Sequence, residues 1–312
     1  MHMSQSVLTV TKDMINKMID YYKKDLKEKV PPGAYFAAKV NGCSITAYRS
    51  GKVLFQGAQH EQEASRWDGE FTTKQRKEKT EQNIPACVHK SHIGSDEAGS
   101  GDFFGPLTAA AVFVDEKKIP LLQELGVRDS KLMKDDKILE VAKQIQLAEV
   151  PYSILVLHNE KYNTLQRKGW TQGKMKAMLH YHAISKVLEK MNGMTLDGIV
   201  VDQFAERQVF AKHLASENIT LPDKMHFLTK AETYSIAVAA ASILSRAKFV
   251  QEMNKLSKKI GFTLQKGASS LVDEQAAKII LSKGRNTLSS ISKVHFANTK
   301  KADEVVKKRL SH

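Results

Sequence analysis

The stretch HIGSDEAGSGDFFGP, residues 92–106, decides how the chain is read. It opens as an apolar strand, sets two adjacent carboxylates, Asp96 and Glu97, among glycines, and ends in Phe-Phe-Gly-Pro. Residues 88–96 and 107–114 read as strands joined through that glycine-rich turn, and 152–157 reads as a third. A helix carrying Leu132, Ile138, Leu139, Ala142 and Ile145 is expected between the second and third strands, and more helix from about Glu160 to Lys190. There follow GIVVD at 198–202, a helix near 205–216, the short strand MHFL at 225–228, and a long helix starting near Glu232. Strand-helix-strand-helix order implies parallel pairing with right-handed crossovers. The expected class is therefore α/β, three meandering strands followed by two added in parallel.

In that arrangement Asp96 and Glu97 end the first central strand, Asp202 ends GIVVD, and Glu232 follows the last strand. Ends of neighbouring strands converge, so the four carboxylates can meet at one edge of the sheet. Successive residues of a regular strand face opposite ways, so Asp96 and Glu97 share a site only if the strand bends or Glu97 reaches round. Gly94 and Gly99 permit such a bend. Two carboxylates about 4 Å apart repel by about 4 kcal/mol at an effective dielectric near 20, so the cluster calls for divalent cations. All-oxygen ligands point to Mg²⁺ or Mn²⁺. Singly, each acid has a plainer reading: Asp202 as a helix cap, Glu232 as a partner of a helix dipole, Asp96 and Glu97 as turn acids. Their joint placement at strand ends favours the metal reading.

The rest of the chain sets the context. A length of 312 residues with 42% hydrophobic residues suits a soluble globular protein of one large or two smaller domains. Forty-eight Lys plus Arg against 34 Asp plus Glu give a formal charge of +14 spread along the chain, which suits a polyanionic partner or a merely soluble basic surface. Cys43 and Cys87 are too few for a disulfide framework, as expected for a reducing cytoplasm. Cys87, His89 and His92 supply only three candidate zinc ligands, which strand alternation would split between faces. No basic-then-apolar leader and no apolar run of about 18 residues is present, so neither export nor membrane insertion is expected.

Composition shifts sharply after residue 66, giving expected boundaries of an N-terminal domain over 1–66, a charged linker over 67–87 and a larger domain over 88–312. The first domain reads strand, helix capped by Thr11, then a meander with turns at Asn41-Gly42 and Ser50-Gly51. Phe36, Ala38, Val40, Cys43, Ile45, Ala47, Val53 and Phe55 form its apolar face. The opposite face carries Tyr35, Lys39, Ser44, Thr46, Tyr48, Lys52, Leu54 and Gln56. That is either a solvated face or a nucleic-acid platform of rings and amines. Trp170, Gly173, Lys174, Lys176, His180 and His182 read as a partly buried helix with a solvated basic face.

GSDEAGSGDFFGP, with RDSKLM at 128–133, GIVVDQF at 198–204 and KAETYSIAVAAASILSRAKF at 230–249, resembles the type 2 ribonuclease H superfamily, most closely its type 3 family, ribonuclease HIII. The resemblance runs in order along essentially the whole chain. It implies a ribonuclease H-like core with a mixed five-stranded sheet, and an N-terminal α+β domain similar to half of a TATA-binding protein. It implies Asp96, Glu97, Asp202 and Glu232 as catalytic, metal-binding acids, two Mg²⁺ ions in the active complex with Mn²⁺ as a substitute, and an RNA/DNA hybrid as substrate. It assigns the backbone of Gly99, Ser100 and Gly101 to the ribose, Ser130 and Lys131 to substrate phosphates, and Tyr35, Lys39, Ser44, Thr46, Tyr48, Lys52 and Gln56 to substrate binding. A plainer reading of Ser130 and Lys131 is a helix cap beside a solvated lysine.

The expected reaction is in-line hydrolysis of the RNA strand with 5′-phosphate and 3′-hydroxyl products, by a cytoplasmic monomer that does not engage membranes. Type 2 enzymes usually carry Gly-Arg-Gly where this chain has Gly99-Ser100-Gly101, and generally Asp where it has Glu232. Both departures favour the type 3 reading. The alternatives are a ribonuclease HII-type enzyme acting at isolated ribonucleotides in DNA, and a non-catalytic nucleic-acid-binding protein.

Overall fold

The computed structural model describes residues 5–40, 42–68, 84–128, 130 and 133–311. The chain divides into two compact units, Met1–Asn83 and Ile84–His312. The first contains β1 (Gln5–Thr9), α1 (Lys12–Tyr21), β2 (Ala34–Val40), β3 (Cys43–Tyr48), β4 (Lys52–Gly57) and α2 (His60–Asp68). Its antiparallel sheet has the order β1-β4-β3-β2. Thr11 caps α1 by accepting the Met14 N–H, and Met14, Ile15, Met18 and Tyr22 pack on the apolar face expected from alternation. Helix α2 was not expected. Its apolar positions are little more than Ala64 and Trp67, too few for a helical period, yet both join the core. Trp67 Nε1 donates to the Tyr22 hydroxyl (2.6 Å), which donates to the buried Glu63 carboxylate (2.7 Å). The charged segment expected as a linker thus begins inside a helix that runs to Asp68; its residues 69–83, and Asn41 of the first hairpin turn, lie outside the described residues.

The second unit contains β5 (His92–Ala98), β6 (Leu107–Val114), α3 (Ile119–Glu124), α4 (Asp135–Leu147), β7 (Tyr152–Leu157), α5 (Asn159–Arg167), α6 (Gln172–Lys190), β8 (Gly198–Asp202), α7 (Arg207–Ala215), β9 (Met225–Leu228), α8 (Ile236–Ile260), α9 (Ser270–Lys283), α10 (Arg285–Ile291) and α11 (Ala297–Leu310). Its sheet has the order β7-β6-β5-β8-β9, with β5 to β7 antiparallel and β8 and β9 added in parallel, as the element order implied. Alternation along β6 separates the two faces. Ala110, Val112 and Val114 meet α4 and α8, whereas Ala111 and Phe113 meet α6.

Some local expectations change. Residues 86–89 form a 3-10 turn, and the strand starts at His92, because Cys87 and Val88 turn inward onto Val200, Leu228, Ala231 and Val238. The helix expected over 160–190 is broken between Arg167 and Gln172, where Gly169 adopts φ +88° and Thr171 caps α6. Glu232 lies in a 3-10 turn, Ala231–Thr233, and α8 begins only after Ser235, whose hydroxyl accepts the Val238 N–H. Leu132 lies outside the described residues, and α4 starts at Asp135.

Gly94 fixes the depth of α8 on the sheet. A Cβ there would stand 2.1 Å from the Val238 nitrogen and 2.2 Å from the Ala237 carbonyl carbon, so only a bare Cα admits the helix backbone. The expected bend at Gly94 is absent: β5 stays in register with β6 from His92 to Ala98. Gly94→Ala is expected to destabilise the protein by about 3 kcal/mol, since rigid backbone on both sides leaves no room to repack. Chemical denaturation measures this, and a loss below about 1 kcal/mol would show that α8 can shift.

Candidate active site

The two adjacent acids obey strand alternation. Gly94 and Asp96 face α8, and Ser95 and Glu97 face α6. Asp96, 7% exposed, accepts the Glu97 N–H (2.7 Å) and a bond from Ser242 of α8. On the other face the fully buried His180 of α6 bridges Ser95 Oγ (2.7 Å) and Glu97 Oε2 (2.9 Å), and Lys176, one turn earlier, pairs with Glu97 Oε1. Ser95 Oγ also donates to the Ala110 carbonyl (2.9 Å). The Lys176 ammonium also lies 4.1 Å from the Phe204 ring centroid, and that ring stacks on His180. The reading of Lys176 and His180 as part of a solvated basic face is therefore corrected: both engage Glu97.

Both acids line one cavity of about 470 Å³ with Asp202, the Ala98–Asp102 segment, Ser130, Ser242, Arg246, Phe249 and Lys266. Strand pairing explains the meeting, since Ser95 lies opposite Val201 in parallel register and the next residue on each strand is an acid. Asp202 Oδ1 accepts the Ala231 N–H (2.9 Å), which ties the end of β8 to the turn holding Glu232. Glu232, 5% exposed, lines a second cavity with His89, Arg128, Tyr234 and Ser235. Of the four acids the structure thus brings Asp96, Glu97 and Asp202 into one cavity and seats Glu232 beside the amide that Asp202 holds.

Electrostatics separate the two neighbours. Burial pushes the Asp96 carboxyl well above the usual aspartate range, and the charges of Glu97 and Asp202 push it further. Burial would raise Glu97 too, but the hydrogen bond and charge of His180, with those of Lys176, outweigh it and hold Glu97 below its ordinary value. The donor chemistry, carboxylate oxygens crowding one cavity, fits a hard divalent cation whose charge would relieve Asp96. Among the described residues no three His, Cys, Asp or Glu side chains already form a metal cage.

Ser130 is 3% exposed and its hydroxyl bonds Ser242 Oγ (2.9 Å), while its carbonyl accepts from Arg246. Lys131 lies outside the described residues. Arg246 and Lys266, both on Asp135, put basic groups on the cavity wall, and sequence reading had singled out neither. Gly99 turns the chain at φ +86°, with its Cα against the Pro106 carbonyl and the Phe249 ring. Gly101 has nothing within 4 Å of a notional Cβ, so the loop's backbone stands open to the cavity.

In the first unit Lys39, Ser44, Thr46, Tyr48, Lys52, Leu54 and Gln56 lie on the outer face of the sheet, as alternation required. The pairing of β2 with β3 slips between Ala34 and Phe36, leaving Tyr35, 41% exposed, as the extra residue. Lys27, missed because it belongs to no strand, donates to Ser44 Oγ (3.3 Å) and adds a cation to this face.

A family model described as Ribonuclease HII matches residues 93–299, and one described as Domain of unknown function (DUF3378) matches residues 5–81. The chain is 50% identical over 309 residues to Ribonuclease HIII of Oceanobacillus iheyensis, covering 97% of this chain and 100% of that one. It is 48% identical over 317 residues to Ribonuclease HIII of Bacillus subtilis, covering 99% and 100%. Among solved structures, Bst-RNase HIII in complex with Mn²⁺ matches with a TM-score of 0.69 at 40% identity over 98% of this chain and 100% of that one. The chain belongs to the ribonuclease HII family, the metal-dependent ribonucleases H of the type 2 superfamily, and within it to the ribonuclease HIII branch.

The raised Asp96 carboxyl makes a stability prediction for metal-free protein. An acid whose folded-state pKa lies above its unfolded value costs nothing below the usual aspartate range and destabilises increasingly as pH rises above it. In EDTA, Asp96→Asn is expected to melt higher than wild type at neutral pH, with the advantage vanishing towards about pH 4. Mg²⁺ should stabilise wild type more than the variant. Identical melting curves across that pH range would show that Asp96 carries no electrostatic strain.

Proposed function

We propose that Asp96, Glu97, Asp202 and Glu232 are the metal-binding catalytic acids with which this chain hydrolyses the RNA strand of RNA/DNA hybrids. The observation that carries this is the convergence of Asp96, Glu97 and Asp202 in one cavity beside a glycine loop open to it. Bound Mg²⁺, or Mn²⁺ as in the related Bst enzyme, supplies activation of water and neutralisation of the leaving oxygen in an in-line displacement. Asp96 and Asp202 hold that charge from neighbouring strands. Lys176 and His180 keep Glu97 ionised and fix its direction. Arg246 and Lys266 face the incoming phosphates, and products carry 5′-phosphate and 3′-hydroxyl ends.

Choice of the RNA strand needs a contact with the 2′-hydroxyl. Backbone groups of Gly99, Ser100 and Gly101 reach a ribose because Gly101 leaves no side chain in the way. The φ of Gly101 lies outside the left-handed region, so Gly101→Ala is tolerated by the fold and obstructs only the substrate. Its melting temperature should match wild type while cleavage of a continuous RNA/DNA hybrid falls about tenfold or more, as expected for a displaced scissile group. Full activity would place the ribose elsewhere. Ser100 stands where type 2 enzymes usually carry arginine, so the enzyme should cleave continuous hybrid well and a single ribonucleotide embedded in DNA poorly. Comparable rates on both would favour the ribonuclease HII-type alternative.

The first unit is read as a TATA-binding-protein-like substrate-binding domain that grips phosphates through Lys27, Lys39 and Lys52 beside Tyr35 and Tyr48, remote in sequence from the acids. Replacing the three lysines by glutamine is expected to raise KM more than it lowers kcat. Each lost phosphate contact should flatten the dependence of log K on log salt by up to roughly 0.9. Unchanged affinity and salt slope would make this a solvated face. The free, buried thiols of Cys43 and Cys87 suit a reducing, cytoplasmic setting.

A further inference from the structure

Lys293, in the connection between α10 and α11, is fully buried and plays no part in the chemistry described above. Burying an ammonium group costs several kcal/mol unless its donors are used. Here Nζ donates to the carbonyls of Asp102 (2.7 Å) and Gly105 (2.6 Å), and the Tyr162 ring centroid lies 5.8 Å away. The Lys293 N–H donates to the Phe103 carbonyl (2.8 Å), and Phe104 pairs with Ser292 in an isolated bridge. One residue thus fastens three successive parts of the turn that follows Gly99-Ser100-Gly101. Burial pushes the ammonium down to about 7, against which the charge of Asp102 pulls upward. Neutral or charged, the amine has enough protons for both carbonyls.

Further contacts fasten the same loop. Asp102 Oδ1 accepts the Gly267 N–H (2.6 Å), and the Phe103 N–H donates to the Gly267 carbonyl (2.9 Å). Asn159 donates to the Gly105 carbonyl (2.8 Å), and Gln172 holds the Ser100 carbonyl (3.0 Å). At the other foot Gly99 is wedged against the Pro106 carbonyl and Phe249. The loop is therefore anchored at both ends, with its open middle at Gly101. Hydrophobic packing alone would not require a lysine at this depth; a methionine of similar length would fill the space and leave the Asp102 carbonyl without this donor.

We propose that Lys293 is a positioning residue for strand recognition: through Asp102 and Gly105 it sets the backbone of Gly99-Ser100-Gly101 at the height where the scissile ribose is read. The inference rests on the reading of that loop as the ribose contact. A loop displaced by about 1 Å can lose about 100-fold in rate without loss of binding held elsewhere.

The test compares Lys293→Met, which removes the donors, with Lys293→Gln, which keeps an N–H₂ group, in the full-length enzyme with Mg²⁺ and a continuous RNA/DNA hybrid. In Lys293→Met, kcat should fall about 10- to 100-fold, with KM and the Mg²⁺-induced rise in melting temperature close to wild type. Amide hydrogen exchange at 100–105 should quicken, and Lys293→Gln should recover part of kcat at a melting temperature similar to that of the methionine variant. Wild-type kcat in folded Lys293→Met, or losses in both variants that follow melting temperature alone, would overturn the proposal. If Lys293→Met does not fold, Lys293→Gln decides: lower kcat with unchanged KM and faster loop exchange supports it, and unchanged kcat rejects it. Gly101→Ala separates the two ideas. A fully active Gly101→Ala beside an impaired Lys293→Met would discard the ribose reading and keep the fastening role. The reverse pattern would keep the ribose reading and discard this inference.

Discussion

The contact between the backbone of α8 and the bare Cα of Gly94 governs the catalytic unit. Once the helix is seated there, its later turns fall in step with β5 and the loop beyond it. Ser242 reaches Asp96, the Ser245 carbonyl accepts the Thr108 hydroxyl, Phe249 packs on Gly99 and Met253 on Gly105. A helix rising 1.5 Å per residue and a strand rising about 3.3 Å keep such a register only at a fixed separation. The alanine-rich opening of α8 and the glycine of β5 supply that separation together.

The same strand feeds two different environments. Asp96 faces α8, where the offered partner is the neutral Ser242 and the nearby charges are acidic. Glu97 faces α6, where a lysine pairs with it and a histidine hydrogen-bonds to it. Adjacent residues thereby acquire opposite electrostatic characters from one backbone, since the side-chain period of a strand is two. One carboxylate held ionised and one strained by burial and like charge are thus neighbours in sequence, without any kink in the strand.

Around this centre the C-terminal helices do structural work for the loop. Phe103 and Phe104 are buried among Phe249, Met253, Ile260, Leu264 and residues of α9 to α11, so the turn after Gly101 belongs to a core supplied from far along the chain, Asp102 and Lys293 being separated by 191 residues. Contacts of such separation cost loop-closure entropy and are made only when the rest of the fold brings their ends together. The loop is thus held rigidly at its feet and left open at Gly101.

The three-strand meander, the parallel pair added after it, the clustering of Asp96, Glu97 and Asp202 and the two-faced N-terminal sheet were all legible in the sequence. Each depends on periods of two, on strand-end position or on local motifs that survive without knowledge of partners. Helix α2, the start of α8 at Ile236, the pairing of Lys176 and His180 with Glu97, the reach of Lys27 to Ser44, the seat of Glu232 and the buried Lys293 were decided only by tertiary structure. Nothing local marks a lysine as buried or a histidine as a carboxylate's partner. Those outcomes depend on which distant group arrives within about 3 Å of the polar atom, a distance set by packing rather than by any sequence period.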